Sequence, residues 1–213
     1  MVTKSFRLAA VPLALGLALA AGAHAQISDG VVKIGILTDM SGPYSSFGGK
    51  GSVVATNLAI EDCLKAECSG MKIEVLSADH QNKADVASSK AREWIDKDGL
   101  SMLVGGTNSG TSLAMATVAQ EKKLPFISIG AGSARLTNEA CTPYTVHYAY
   151  DTVALAKGTG GAVVKQGGKD WFFLTADYAF GHALETDTAN VVKAAGGAVK
   201  GTVRAPLNTS DFS

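Results

Sequence analysis

Short apolar runs alternate along the chain with longer segments whose apolar residues recur at helical spacing. The short runs predict β-strands over residues 31–37, 71–78, 101–104, 125–129, 171–175 and 198–204. The longer segments predict helices over residues 47–65, 84–97, 111–122, 152–165 and 182–195. Strands and helices that alternate in this way indicate an α/β fold whose parallel sheet is covered on both faces, and right-handed crossovers make such a sheet doubly wound.

The alternation is interrupted between residues 130 and 150, where glycine, proline and aromatic residues are concentrated. We place a domain crossing within residues 145–150, which divides the chain into domains 26–147 and 148–213. The second domain contains two predicted strands and two predicted helices, too few to bury a core of its own. We therefore expect its strands to expose apolar side chains at residues 171–174 and 199–203.

Residues 100–110, LSMLVGGTNSG, join the third predicted strand to the third predicted helix. Gly105, Gly106 and Gly110 allow the backbone to turn sharply and to approach a ligand closely. Asn108 or Ser109 lies at the position of a helix N-cap. Free backbone N–H groups and the helix dipole at such a position favour an anion, for example a carboxylate. The alternative is that this turn is an ordinary connection between a strand and a helix.

The amino terminus has the pattern of a secretory signal peptide. Lys4 and Arg7 precede an apolar segment over residues 8–21, and small residues precede a cleavage point after Ala25. This apolar segment of 14 residues is shorter than the roughly 20 residues that a transmembrane helix needs. We therefore predict that residues 1–25 are removed on export.

Charge and cysteine usage narrow the functional class. Without Lys4 and Arg7 the chain has 17 basic and 19 acidic residues, a balance that provides no basic surface for nucleic acid. Three cysteines would enter an oxidising compartment. We expect a disulfide between Cys63 and Cys68 and a free Cys141, and burial of all three as thiols is the alternative.

Motifs for catalysis and metal binding are incomplete. Residues 106–110, GTNSG, resemble a nucleophile elbow, but the serine is fourth instead of third. Residues 47–52, FGGKGS, resemble a phosphate-binding loop, but a glycine follows the lysine. His80, His147 and His182 are isolated from one another and from the cysteines. We therefore predict no catalytic residue, no metal site and no cofactor.

Several short segments together point to a known family. They are IGILTDMSGP at 34–43 with FG at 47–48, LVGGTNS at 103–109, PFIS at 125–128 before GAGS at 130–133, DYAFG at 177–181 and SDF at 210–212. In their order and spacing, these segments resemble the periplasmic solute-binding proteins of branched-chain amino acid transporters, the leucine-binding protein family. The resemblance extends from Val32 to the last residue.

The resemblance implies a two-lobed clamshell with the type I periplasmic-binding fold, in which each lobe is a doubly wound parallel sheet. It also implies that the second lobe is incomplete in this chain, so that the chain is an amino-terminal fragment. Solute would bind between the lobes at the carboxyl ends of the strands. The closed protein would reside in the periplasm and present its solute to an ABC permease in the inner membrane, without making or breaking a bond.

The resemblance further implies polar contacts to the ligand. Ser109 corresponds to the residue whose hydroxyl and backbone N–H hold the ligand carboxylate, and Asn108 lies beside it. Gly130 corresponds to a residue that offers backbone groups. Gly132 stands where amino-acid binders often have a threonine that helps to hold the ammonium group, and Ser133 provides the nearest hydroxyl.

Aromatic contacts are implied as well. Phe47 corresponds to an aromatic residue that lines the pocket from the first lobe, and Tyr178 or Phe180 to the aromatic wall from the second. Tyr148 and Tyr150 lie near the predicted crossing and could belong either to packing or to the cleft. Each of these rings could instead be ordinary packing.

Two ligand classes remain open. A branched-chain amino acid needs a carboxylate cradle and a cage for its ammonium group, whereas an aromatic or other organic acid, or a small amide, needs a cradle and a larger apolar pocket. We place the amino acid first. An exported hydrolase with Ser109 as nucleophile and His80 as its base is less favoured, because no elbow geometry supports it. A sensory ligand-binding module would share the fold.

Overall fold

The computed structural model describes residues 30–212, so the predicted signal peptide lies outside the described residues. In chain order the elements are β1 (Val31–Thr38), α1 (Gly49–Lys65), β2 (Lys72–Asp79), α2 (Ala84–Lys97), β3 (Met102–Gly105), α3 (Ser109–Lys122), β4 (Phe126–Ser128), β5 (Thr145–His147), α4 (Thr152–Leu155), α5 (Gly161–Lys165), β6 (Asp170–Ala176), α6 (Ala179–Ala194) and β7 (Ala198–Ala205). Each predicted strand and helix is present, and the ends of these elements differ from the prediction by at most three residues.

The first five strands form one parallel sheet in the order β2-β1-β3-β4-β5. Helix α1 packs on one face, whereas α2 and α3 pack together on the other. This is the doubly wound α/β arrangement that the alternation predicts. Strand β5 is not predicted from the sequence, because its three residues at the sheet edge are too few to show a period of two.

The main core lies between the sheet and helices α2 and α3. Leu37, Leu103, Met115 and Phe126 are completely buried there. The opposite face holds a smaller cluster around Ile36, which α1 covers only in part. A groove between α1 and this face of the sheet therefore remains lined by apolar side chains.

The second unit is built around the parallel pair β6 and β7. The predicted helix at 152–165 is one helical segment, in which a π-helical turn at Ala156–Gly160 separates α4 from α5. This segment packs against α6. Phe172, Leu174 and Val203 are 63%, 65% and 49% exposed, which confirms the prediction of uncovered apolar side chains on these strands.

The cysteine prediction is confirmed. A disulfide joins Cys63 near the end of α1 to Cys68 in the turn before β2, and Cys141 is an exposed free thiol. Within residues 30–212 no helix is long and apolar enough to cross a membrane. The same part of the chain contains no group of three histidine, cysteine or acidic side chains placed to hold a metal ion.

Candidate ligand-binding site

A cavity of about 270 Å³ lies between the two units, just below the range of about 300–1,000 Å³ that small-molecule sites occupy. It lies beyond the carboxyl ends of β1 and β3, where the strand order of the sheet reverses, and open α/β sheets usually bind ligands at this point. The residues that line it are Tyr44, Phe47, Thr107, Ser109, Gly130, Gly132, Tyr150, Tyr178 and Phe180.

The turn from β3 into α3 depends on glycine. Gly105 and Gly106 have φ angles of +143° and +74°, which L residues with a side chain rarely adopt. A Cβ atom at Gly105 would lie 2.0 Å from the carbonyl oxygen of Leu37. The turn can therefore pass directly above β1, which places the start of α3 beside the cavity.

Asn108 is the N-cap of α3, which decides between the two candidates that the sequence left open. Its Oδ1 accepts hydrogen bonds from the N–H groups of Gly110 at 2.6 Å and Thr111 at 3.3 Å. Two of the backbone donors that the helix start would offer to an anion are therefore already used. Asn108 does not line the cavity, so the structure places it as a support for the site.

Ser109 is the first residue of α3 and is almost completely buried at the cavity wall. Its Oγ accepts a hydrogen bond from the N–H of Ser133 at 3.2 Å. Among residues 30–212, neither the hydroxyl proton nor the backbone N–H of Ser109 has an acceptor. Ser109 can therefore donate two hydrogen bonds to one carboxylate, at the positive end of the helix dipole.

Ser133 serves as a support for Ser109. Its N–H donates to Ser109, and its own Oγ accepts a weak hydrogen bond from Arg135 N–H at 3.4 Å, at the start of the short 3₁₀ turn Ala134–Leu136. Ser133 is fully buried and does not line the cavity. The site residues predicted from the sequence thus divide into six that line one cavity and two, Asn108 and Ser133, that lie behind it.

The two predicted glycines lie in close contact with aromatic rings. A Cβ atom at Gly132 would lie 2.7 Å from Cε2 of Tyr150 and 2.8 Å from Cε2 of Phe180. A Cβ atom at Gly130 would lie 2.9 Å from Cε1 of Phe47. Real Cβ atoms essentially never show contacts below 3.0 Å. The rings therefore occupy the space that a threonine at residue 132 would need.

Aromatic side chains from both lobes contact one another along the cavity wall. The ring centroids of Tyr178 and Phe180 are 6.0 Å apart, and those of Tyr44 and Tyr178 are 6.5 Å apart. The hydroxyl of Tyr44 donates a hydrogen bond to the hydroxyl oxygen of Tyr178 at 2.8 Å. Burial raises the pKa of Tyr178 above its usual value, and the neighbouring phenols of Tyr44 and Tyr150 add to this shift, so the phenol of Tyr178 remains neutral.

Tyr44 and Thr107 line the cavity although the sequence did not predict them as site residues, and Tyr150 lines it after being left undecided. Tyr44 belongs to the loop after β1 that also carries Phe47, and Thr107 lies two residues after the end of β3. The position of both residues after the carboxyl end of a strand could have indicated that they belong to the site. The Oγ1 of Thr107 is buried and has no hydrogen-bond partner within the described residues.

His80 does not reach the cavity. It is fully buried, and its Nδ1 accepts a hydrogen bond from the N–H of Asn82 at 3.1 Å. Burial lowers the pKa of His80, although Asp39 and Asp79 partly oppose this shift. Ser109 therefore has no histidine in contact with its hydroxyl among residues 30–212, and the arrangement that a serine nucleophile needs is not formed there.

A sequence model of the periplasmic binding protein family matches residues 31–213. The chain belongs to this family. The match confirms the resemblance and the fold class predicted from the sequence, a type I periplasmic-binding fold built on parallel α/β sheets. The proteins of this family bind solutes, and the cavity described above lies where the doubly wound sheet places a ligand.

Three proteins are similar to this periplasmic binding protein in sequence or structure. It is 27% identical over 189 residues to Leu/Ile/Val-binding protein homolog 6 of Brucella abortus, a match that covers 86% of this chain and 46% of that protein. It is 65% identical to a periplasmic binding protein of Burkholderia mallei of known structure, with a TM-score of 0.82 and coverage of 86% of this chain and 48% of that one.

The third relative is a solute-binding protein of an ABC transporter from Rhodopseudomonas palustris, solved in complex with 3,4-dihydroxybenzoic acid. The two chains are 29% identical, with a TM-score of 0.75, over 86% of this chain and 50% of that one. The present chain thus spans about half the length of the relatives that it matches.

Proposed function

We propose that this periplasmic binding protein binds a small carboxylate-bearing solute in the cavity between its lobes and delivers it to the permease of an ABC importer in the inner membrane. Export by the predicted signal peptide would place it in the periplasm. The two free donors of Ser109, at the start of α3, support a carboxylate at this end of the cavity. The cavity lining, within the described residues, contains no charged side chain, so these donors would hold the anion.

We infer that an aromatic or other organic acid is the preferred ligand. The observation that carries this inference is the packing at Gly132, where the rings of Tyr150 and Phe180 replace the space of a threonine hydroxyl. A flat apolar ligand can pack on these rings, whereas an ammonium group would meet no carboxylate among the described residues that line the cavity. The bound 3,4-dihydroxybenzoic acid of the Rhodopseudomonas relative supports the same class.

A branched-chain amino acid is the second candidate, although the sequence alone placed it first. The name of the Brucella relative supports it. An amino acid would need an acceptor for its ammonium group, and the described residues that line the cavity include no carboxylate. On this argument we place the organic acid first and the amino acid second.

Isothermal titration calorimetry of the purified chain with benzoate, leucine and benzamide tests the proposal. Benzoate should bind, whereas leucine and the uncharged benzamide should bind more weakly. Ser109→Ala removes one hydrogen bond to a charged group, and such bonds contribute about 1.5–3 kcal/mol, so the affinity for benzoate should fall about 10- to 100-fold. Ser46→Ala, at an exposed serine outside the cavity, is the matched control.

The outcomes separate the candidates. Tighter binding of leucine than of benzoate would favour the amino acid. An unchanged affinity of the Ser109→Ala variant would show that the carboxylate lies elsewhere. The proposal includes no chemical step, since the family consists of binding proteins and Ser109 contacts no histidine within residues 30–212.

A further inference from the structure

Two phenol groups meet across the cleft on the wall of the cavity. Tyr44 comes from the loop after β1 in the first lobe, and Tyr178 lies immediately before α6 in the second. Their hydroxyl oxygens are 2.8 Å apart, with Tyr44 as the donor. Both residues line the same cavity as Ser109.

The hydrogen bond leaves one donor unused. The proton of Tyr44 is taken by Tyr178, whereas the proton of Tyr178 has no acceptor among residues 30–212. Tyr178 remains protonated, as its raised pKa indicates. A half-buried O–H group without a partner costs free energy that a ligand atom can recover.

Mostly aromatic side chains surround this donor, and the phenol of Tyr150 is close enough to influence Tyr178. The rings of Phe47 and Phe180 form the neighbouring parts of the cavity wall, and they offer no hydrogen-bonding group. The oxygen of Tyr44 still has lone pairs available as acceptors. A hydroxyl group on a ligand could therefore accept a hydrogen bond from Tyr178 and donate one to Tyr44 at the same time.

We propose that the Tyr44 and Tyr178 phenols form a specificity-determining pair that binds a hydroxyl substituent of the ligand. The site then selects hydroxylated aromatic acids over the unsubstituted acid. This inference rests on the proposed function, because it assumes that an aromatic acid occupies the cavity. It adds a second polar recognition point, distinct from the carboxylate donors of Ser109.

Calorimetric titration with benzoate, 3-hydroxybenzoate and 4-hydroxybenzoate tests the pair. One hydroxybenzoate should bind the unmodified chain about 3- to 10-fold more tightly than benzoate, the preference that one or two hydrogen bonds of ordinary strength give. Tyr178→Phe should bring this ratio close to one, because the variant lacks the hydroxyl that would donate to the ligand substituent. Tyr44→Phe should reduce the ratio in part, since Tyr178 keeps its proton. Tyr148→Phe, at a tyrosine that is 78% exposed and lies outside the cavity, should leave the ratio unchanged.

A purely structural role for the hydrogen bond between Tyr44 and Tyr178 predicts a different result in these titrations. If the hydrogen bond only holds the lobes together, both variants should weaken all three acids equally and leave the ratio unchanged, which would overturn this inference. Binding of all three acids to the unmodified chain with equal affinity would overturn it while the proposed function stands. Absence of binding of any acid would overturn both. Thermal unfolding of each variant separates these outcomes from a loss of folded protein.

Discussion

Replacement of Asn108 separates the cap of α3 from the proposed binding of an anion at the start of this helix. Asn108→Asp keeps a side-chain oxygen where Oδ1 now accepts from Gly110 and Thr111. Aspartate and asparagine are about equally good N-caps, so stability should be preserved. The variant nevertheless adds a negative charge next to the donors of Ser109.

The size of each effect can be estimated. A ligand carboxylate on Ser109 would lie roughly 5–8 Å from the new charge, and at an effective dielectric constant of about 20 the repulsion is about 2–3 kcal/mol. The affinity for benzoate should therefore fall about 30- to 150-fold. Asn108→Ala instead removes the cap and should lower the free energy of unfolding by about 1 kcal/mol. It also frees two N–H groups, so benzoate should bind at least as tightly as before.

Calorimetry with benzoate, and thermal unfolding of the same preparations, measure these effects. Benzamide is the matched control, since a neutral ligand should bind the Asn108→Asp variant and the unmodified chain with similar affinity. Equal affinity of benzoate for the Asn108→Asp variant and the unmodified chain would refute the placement of the anion at the start of α3. A large salt dependence of the difference would support it, because screening weakens charge repulsion.

Two further predictions concern the second unit and the glycine contacts. Gly132→Ala places a Cβ atom within 2.8 Å of the rings of Tyr150 and Phe180, so we expect these rings to be displaced. Calorimetry should show about a 10-fold loss of affinity for benzoate, and thermal unfolding a loss of stability of about 1–3 kcal/mol. Unchanged binding would contradict the packing argument. A hydrogen bond from Arg204 lowers the pKa of Glu185 to about 2, whereas the pKa of glutamate in the unfolded chain is about 4.3. The stabilisation of the fold by ionised Glu185 is therefore present above about pH 4.3 and is lost as the pH falls toward 2. Glu185→Gln should flatten this part of the pH–stability profile in urea unfolding, and an identical acid profile for the variant would contradict this prediction.

Local sequence signals predicted most of the secondary structure. The periodicity of apolar residues located each predicted strand and helix, and the order of glycine, Asn108 and Ser109 located a helix start suited to an anion. The cysteine spacing identified the disulfide. The choice of Asn108 as the cap could not be made from the sequence, since both residue types favour that position and only the side-chain geometry distinguishes them.

The composition of the cavity depended on contacts between distant residues. The sequence showed a glycine at residue 132, but the reason for it is the approach of Tyr150 and of Phe180, which belongs to the other lobe. Tyr44 and Tyr178 are 134 residues apart, and no pattern within either segment indicates their hydrogen bond. The sequence alone therefore determined the α/β class, the family and the position of the glycine-rich turn before α3, because periodicity, turns and caps involve only a few neighbouring residues. The tertiary structure decided which side chains line the cavity, because that depends on how the two lobes meet.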